Sequence, residues 1–312
     1  MRRRIAWSYG LFGLIFGYWF FPKWGVAGAA TATVASSLFS CVVYLFLFFG
    51  QKHRQRYCTV SGWRFDMKLF LRLMRYGLPS GTQFMLDILG FTLFVTFIGR
   101  ISATCLAASS MAFQINSLAF MPMLGFNTAV STLVGRALGK GKPALAQRST
   151  WSAIAITFCY MTTIAAGYWF FPSIFMYPFA VQADPAEFEA IKEVVERLLC
   201  FVAIYSIFDS GNLIFSAALK GAGDTRFVMV VSVALNWLIM VVPTYIAVTF
   251  QKGMAGFYLA WTALTVYVIV LAVLFLMRFL QGKWKNMRVI ETAPAPLLRD
   301  MPAVPTVETD KN

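Results

Sequence analysis

The stretch "YGLPSGTQFMLDILGFTLFVTFIG", residues 76–99, is an apolar run that carries an aspartate, Asp87, near its middle. About 20 apolar residues in a helix are enough to cross the hydrocarbon core of a bilayer. An ionised carboxylate at that depth costs between about 3 and more than 10 kcal/mol, so ionisable residues inside spans usually mark functional sites. The stretch therefore predicts a membrane-spanning helix in which Asp87 has a specific partner.

The composition places the whole chain in the membrane class. Of its 312 residues, 59% are hydrophobic and only 13% are charged, whereas soluble proteins have about 25% charged residues. The apolar runs are continuous and do not alternate, which favours helices over a barrel. We predict an all-α polytopic membrane protein with eight spans, at residues 5–22, 25–49, 77–99, 104–135, 150–171, 195–219, 227–249 and 254–279.

The formal net charge of +14 is concentrated next to the predicted spans. If Met1 lies in the cytoplasm, most of the 27 Lys and Arg residues fall in cytoplasmic segments, as the positive-inside rule requires. The charge therefore indicates topology and contact with membrane lipids, and it does not indicate nucleic acid. We expect a multi-pass protein of the inner membrane with both termini in the cytoplasm.

An internal similarity predicts the domain organisation. "KWGVAGAATA" at 23–32 resembles "QKGMAGFYLA" at 251–260, so the first pair of helices looks like a copy of the last pair. Transporters are often built from such repeats, and two complete six-helix repeats would place four more spans before Met1. The predicted domains are the last two helices of a first lobe, a basic cytoplasmic linker with an interfacial helix, a six-helix lobe and a disordered cytoplasmic tail, at residues 1–50, 51–76, 77–280 and 281–312.

Polar side chains inside the spans are the candidate functional residues. Gln83 lies one helical turn before Asp87. The sixth predicted span holds a second carboxylate, Asp209, and helical spacing puts Tyr205 and Asn212 on the same face. Further amides in the spans, which are ordinarily hydrogen-bonding groups between helices, are Gln114, Asn116 and Asn236.

The two carboxylates predict a cation site. With no Lys or Arg buried beside them, Asp87 and Asp209 cannot both stay ionised in a low dielectric. They would share a proton or bind a monovalent cation with help from Tyr205. We predict Na⁺ or H⁺ as the coupling ion and no other cofactor or metal. The supporting polar residues are Gln83, Asn212, Gln114, Asn116 and Asn236. The spans hold no nucleophile and base set, so the chain is not expected to be an enzyme.

Three stretches together carry a family resemblance. "LPSGTQF", "LAFMPMLGFNTAVSTLVGRALGKGKP" and "ALKGAGDTRF" are similar to the second half of a NorM-like transporter of the multidrug and toxic compound extrusion (MATE) family. The resemblance implies spans five to twelve of a twelve-span pattern, namely a two-helix remnant of the N-lobe and a six-helix C-lobe. It further implies that drugs or organic cations are exported in exchange for Na⁺ or H⁺.

The resemblance also assigns roles to residues. It matches Asp87, eight positions after Pro79, to a coupling acid that is usually Glu in the family, and it matches Tyr205 and Asp209 to a coupling pair in the tenth span. The small-molecule substrate would lie in a cavity lined by Met and aromatic residues such as Met85, Phe91 and Phe94.

Two alternatives remain at the level of the sequence. The chain could be a flippase for a lipid-linked precursor from the related exporter superfamily, although two buried acids disfavour an anionic headgroup. It could also be an inactive half-transporter fragment that needs a partner chain with the missing N-lobe helices. Export of an organic cation would separate the first alternative from an antiporter, and transport by the chain alone would exclude the second.

Overall fold

The computed structural model describes residues 27, 30–31, 33–50, 65–180, 185–251 and 253–287. The chain divides into two compact units, Met1–Leu71 and Arg72–Asn312. The first predicted span, most of the linker and residues 288–312 of the predicted tail lie outside the described residues. Residues 281–287 of that tail are described and include a 3₁₀ turn. In the first unit, an apolar helix, α1 (Thr33–Phe48), lies within the second predicted span. The described residues form helices joined by short turns, which confirms the predicted all-α class.

The helices that follow are α2 (Met67–Gly99), α3 (Ala103–Gly139), α4 (Pro143–Phe170), α5 (Pro172–Ala180), α6 (Pro185–Ala222), α7 (Thr225–Leu235), a π-helical segment (Asn236–Val241), α8 (Val242–Phe250), α9 (Met254–Leu280) and a 3₁₀ turn (Lys283–Asn286). Six stretches in the described residues are long and apolar enough to cross a membrane: Met67–Gly99, Ala103–Gly139, Pro143–Phe170, Ile191–Ala222, Thr225–Phe250 and Met254–Leu280. They correspond to the last six predicted spans.

Several boundaries differ from the prediction. Helix α2 begins at Met67 and not at residue 77, because residues 67–76 are mostly Met, Leu, Lys and Arg, which favour helix. Pro79 lies inside the helix without ending it. The turn between α2 and α3 follows the expected chemistry, since the Ser102 side chain accepts a hydrogen bond from the Thr104 backbone N–H at 3.2 Å. The short helix α5 was not predicted.

Helix α6 is the central helix of the second unit, where it packs against α3, α4 and α9. Small residues permit this position. A methyl group on Gly221 would overlap the backbone of Ser131 in α3, so the two helices cross with their main chains almost in contact. This close crossing fixes the position of α6 along the axis of α3, and so determines which residues of α3 the polar residues of α6 face.

Two apolar clusters hold the bundle together. The first core cluster contains Phe94, Leu198 and Trp261, and the second contains Phe215 and Phe279. The 3₁₀ turn adds Trp284 to the second cluster; its ring stacks on Phe279 at 4.9 Å and its indole N–H donates to the Phe279 carbonyl at 2.8 Å. Tyr267 of α9 packs against both clusters.

Candidate functional site: a buried carboxylate between two spans

Asp87 connects α2 to the neighbouring span. Its Oδ2 accepts a hydrogen bond from Gln83 Nε2 at 3.2 Å, and its Oδ1 accepts one from Asn236 Nδ2 at 3.3 Å. Gln83 Nε2 also donates to Ser232 Oγ at 3.0 Å. A carboxylate inside a span thus has the partners that its burial requires. We call Gln83, Asp87, Ser232 and Asn236 the Asp87 cluster.

The backbone at Asn236 departs from a regular α-helix, and this positions the side chain that bonds to Asp87. Asn236 is the first residue of the π-helical segment and is only 2% exposed. Pro243, in the first turn of α8, has no N–H and its ring would collide with the Ile239 carbonyl in a regular α-helix. A π-helical turn widens the helix at that point, and such turns are frequent at functional sites.

Gly90 makes room for Asn236. A methyl group at residue 90 would overlap the Asn236 side-chain oxygen, so only glycine lets the amide lie against α2 at this height. The same side chain donates to Asp87, one turn earlier. The hydrogen bond from Asn236 to Asp87 therefore depends on the absence of a side chain at Gly90.

Two carbonyl oxygens in the Asp87 cluster have no hydrogen-bond donor among the described residues. Gln83 Oε1 and Asn236 Oδ1 are both buried and unpaired, while the amide nitrogens of the same side chains donate to Asp87. An unpaired buried acceptor costs about 1–3 kcal/mol. Carboxylate and carbonyl oxygens are the ligands that hard cations prefer, so the cluster offers the donor set of a small cation.

Asp209 lies in a separate polar group on α6. Its Oδ1 accepts from Asn212 Nδ2 at 2.9 Å. Among the described residues it has no hydrogen bond to Asp87 or to Tyr205. Asp87 and Asp209 therefore make no direct hydrogen bond in this conformation, and a shared proton or bound monovalent cation stays a prediction.

Tyr205 bonds to α3. Its hydroxyl accepts from Asn116 Nδ2 at 3.2 Å, and the Asn116 carbonyl oxygen accepts from Ser206 Oγ at 3.3 Å. Tyr205 is also within electrostatic range of Asp209, one turn further along α6. Asn116 therefore links α3 to both Tyr205 and Ser206 of α6.

Three residues of the site were missed from the sequence. Tyr267 of α9 lies near Asn236 and near both carboxylates. Ser232 pairs with Gln83. Lys220 is the last cation of α6 and lies near Asp87.

Lys220 lies near Asp87 but forms no ion pair with either carboxylate among the described residues. Its position could have been read from the sequence, because Asp209, Asn212, Ser216 and Lys220 are spaced by three or four residues and form one stripe along α6. The stripe ends in the ammonium group of Lys220, which lies one helical turn beyond Ser216.

Other predicted residues lie elsewhere. The Gln114 side chain is exposed and makes no hydrogen bond with the described residues. Phe94, expected to line a substrate cavity, is fully buried against the rings of Phe113 and Trp261, at 6.3 Å from each. Met85 and Phe91 are exposed and stay candidates for that cavity.

Comparison with known proteins identifies the family. The family model described as MatE matches residues 79–246, more than half of the chain, including both carboxylates and the π-helical segment. The chain belongs to the MatE family. The resemblance drawn from the three sequence stretches is thereby confirmed.

Named relatives agree with the MatE assignment. The chain is 32% identical over 267 residues to a "Probable multidrug resistance protein NorM" of Brucella suis, covering 85% of this chain and 56% of the relative. It is 27% identical over 268 residues to "Multidrug resistance protein NorM" of Burkholderia vietnamiensis, covering 86% and 57%. The chain thus spans little more than half the length of these curated relatives.

Solved MATE structures share the fold. An outward-facing multidrug resistance MATE family transporter superposes with a TM-score of 0.79 at 19% identity, covering 89% of this chain and 61% of that one. A MOP superfamily transporter from Pyrococcus furiosus Vc1 gives 0.78 at 20% identity, covering 89% and 62%. The helical arrangement described above is the MATE arrangement.

Proposed function

We propose that this chain carries the cation-coupling lobe of a secondary active transporter that exports drugs or organic cations in exchange for Na⁺ or H⁺. The observation that carries the proposal is the Asp87 cluster, in which a membrane carboxylate is flanked by two buried, unpaired carbonyl oxygens. The NorM names of the relatives support the substrate class. The site would lie in the inner membrane, with both termini in the cytoplasm.

The hydrogen bonds suggest how a cation would act on the helices. In the described conformation, Gln83 and Asn236 use their N–H groups to hold Asp87. A proton or Na⁺ at Asp87 would neutralise the negative charge that attracts these N–H groups. Both amides could then rotate and turn their oxygens towards the bound cation. Because Asn236 lies in another span, the contact between α2 and the π-helical segment would change with the occupancy of Asp87.

The exchange cycle would follow the charge on Asp87. Entry of a cation from outside would neutralise Asp87, weaken the hold on a cationic substrate and favour its release. Discharge of the cation inside would restore the carboxylate for the next substrate. Asp209, with Tyr205 and Tyr267 beside it, would be the second carboxylate of the cycle.

Efflux of a fluorescent organic cation from cells that express the chain tests this proposal. We expect Asp87→Asn and Asp209→Asn to abolish efflux that depends on the ion gradient. Glu189→Gln is the matched control, because it neutralises a carboxylate that is exposed at the start of α6, and it should transport like the wild type. Normal efflux in both aspartate variants would contradict the site.

A second measurement addresses the fragment alternative. Alternating access in transporters of this kind moves one repeat against another. If the chain needs a partner that supplies further helices, cells expressing the chain alone will show no efflux, whereas binding of the dye to the purified chain will persist and will depend on Asp87. Export of a lipid-linked precursor without export of any organic cation would favour the flippase.

A further inference from the structure

A polar cleft lies at the membrane boundary, at the end of α2 away from the Lys220 end of the bundle. It has a volume of about 330 Å³ and is enclosed by the last turns of α2 and α8 and by the start of α9. Its lining residues are Phe97, Arg100, Ile101, Tyr245, Val248, Thr249 and Gly253. The cleft therefore combines a guanidinium and two hydroxyl groups with apolar walls.

Arg100 is placed to bind an anion in this cleft. It directly follows Gly99, the last residue of the span, and its side chain is exposed. The guanidinium lies over the Phe97 ring at 5.7 Å, and that ring packs on Tyr245 at 5.5 Å. Among the described residues Arg100 has no acidic partner. An arginine held by an aromatic ring at the headgroup level presents the geometry that phosphate groups bind bidentately.

An apolar groove begins beside the cleft. It has a volume of about 500 Å³, runs between α8 and α9, and is lined almost entirely by hydrocarbon, including Ile246, Leu259 and Ala263. Phe250 and Gln251 at its end adjoin Thr249 and Gly253 of the cleft. The groove follows α8 and the end of the π-helical segment from Gln251 back to Ile239, about 18 Å of helix at 1.5 Å per residue. A free phosphate would leave this surface uncovered, and a lipid tail would cover it.

We propose that the cleft binds the phosphate headgroup of an anionic phospholipid while one acyl chain of the same lipid lies in the groove. Arg100 supplies the charge, Tyr245 and Thr249 supply hydroxyl donors, and the groove residues supply the apolar contact. Such a lipid would bridge the ends of α2 and α8, the two elements that carry Gly90 and Pro243. The site does not depend on the cation-coupling function proposed above.

Native mass spectrometry of the purified full chain in a neutral detergent tests the assignment, with titration of dioleoylphosphatidylglycerol, dioleoylphosphatidylcholine and inorganic phosphate. We expect Arg100→Gln to weaken binding of the anionic lipid about tenfold, the value of one charge-assisted contact, and Arg100→Lys to weaken it less. Ala263→Phe should weaken the binding of both lipids, because the larger side chain fills the groove. Arg148→Gln is the control, since Arg148 is exposed at the opposite membrane face.

Each remaining outcome overturns the proposal. If Arg100→Gln and Arg148→Gln weaken binding of the anionic lipid equally, the lipid is attracted by the general positive charge of the protein and there is no specific site. If inorganic phosphate displaces the lipid at equal concentration, the cleft binds a free anion. If Ala263→Phe leaves binding unchanged, no acyl chain occupies the groove. The measurement requires no transport, so a failed efflux assay and a failed lipid assay are separate results.

Discussion

At the scale of single residues, the Asn236 side chain fits tightly against Gly90 while it donates to Asp87. We predict that Gly90→Ala will displace the Asn236 amide, because the added methyl overlaps its oxygen. The variant should lose ion-coupled efflux and should be destabilised by about 1–3 kcal/mol, the usual cost of overpacking. Efflux and thermal unfolding in detergent measure the two effects.

Gly81→Ala is the matched control for this prediction. Gly81 lies on the same helix, and nothing lies within 4 Å of a methyl group placed there. Its substitution should leave efflux unchanged. If Gly90→Ala acts through Asn236, then adding it to Asn236→Ala should cause little further loss. Full additivity would show that Gly90 acts through some other contact.

The residues that the sequence did reveal are those whose own chemistry is anomalous in a membrane. Asp87 and Asp209 stood out because carboxylates are costly in lipid, and Gln83 and Asn212 followed from helical spacing. Their partners on other helices could not be predicted, since spacing along one helix says nothing about its rotation against the next. For this reason Gln114 was wrongly grouped with the site, while Ser232 and Tyr267 were missed.

At the scale of elements, Pro243 and the π-helical segment set the direction in which Asn236 points. Replacing Pro243 with alanine restores a backbone donor, so a regular α-helix can form. Loss of the extra residue in the turn would rotate Asn236 by about 100° about the helix axis, given 3.6 residues per turn. We predict that Pro243→Ala will lower the apparent affinity for the coupling ion about tenfold in efflux assays.

Pro178→Ala provides the comparison, because Pro178 also lies inside a helix but is exposed on α5, away from the Asp87 cluster. It should leave the ion dependence unchanged. A similar loss in both variants would mean that proline removal acts on folding and that Asn236 keeps its direction. An unchanged ion affinity in Pro243→Ala would show that the π-helical segment does not position Asn236.

The sequence predicted the spans themselves well, since hydropathy over about 20 residues is a strong signal. The run 227–249 corresponds closely to the stretch Thr225–Phe250. The π-helical turn inside it was not predicted, because its cause is a collision between Pro243 and a carbonyl one turn earlier. The start of α2 at Met67 was also not predicted. The basic residues before the span were assigned to the linker, although Lys and Arg favour helix.

At the scale of the whole molecule, membership of the MatE family and the shared fold give the six described spans a common architecture with known transporters. The orientation in the membrane and the domain boundaries stay predictions from charge and repeats. The chain covers about three-fifths of the MATE structures it superposes on. Transport is therefore a property to be tested on this chain directly.

Ion-driven transport in proteoliposomes tests directly whether Asp87 couples cation entry to export. The purified chain is reconstituted with a fluorescent organic cation inside, and an inward H⁺ or Na⁺ gradient is then imposed and collapsed with an ionophore. We predict gradient-dependent export by the wild type and only ionophore-insensitive leak for Asp87→Asn. Export by Asp87→Asn that still follows the gradient would contradict this prediction.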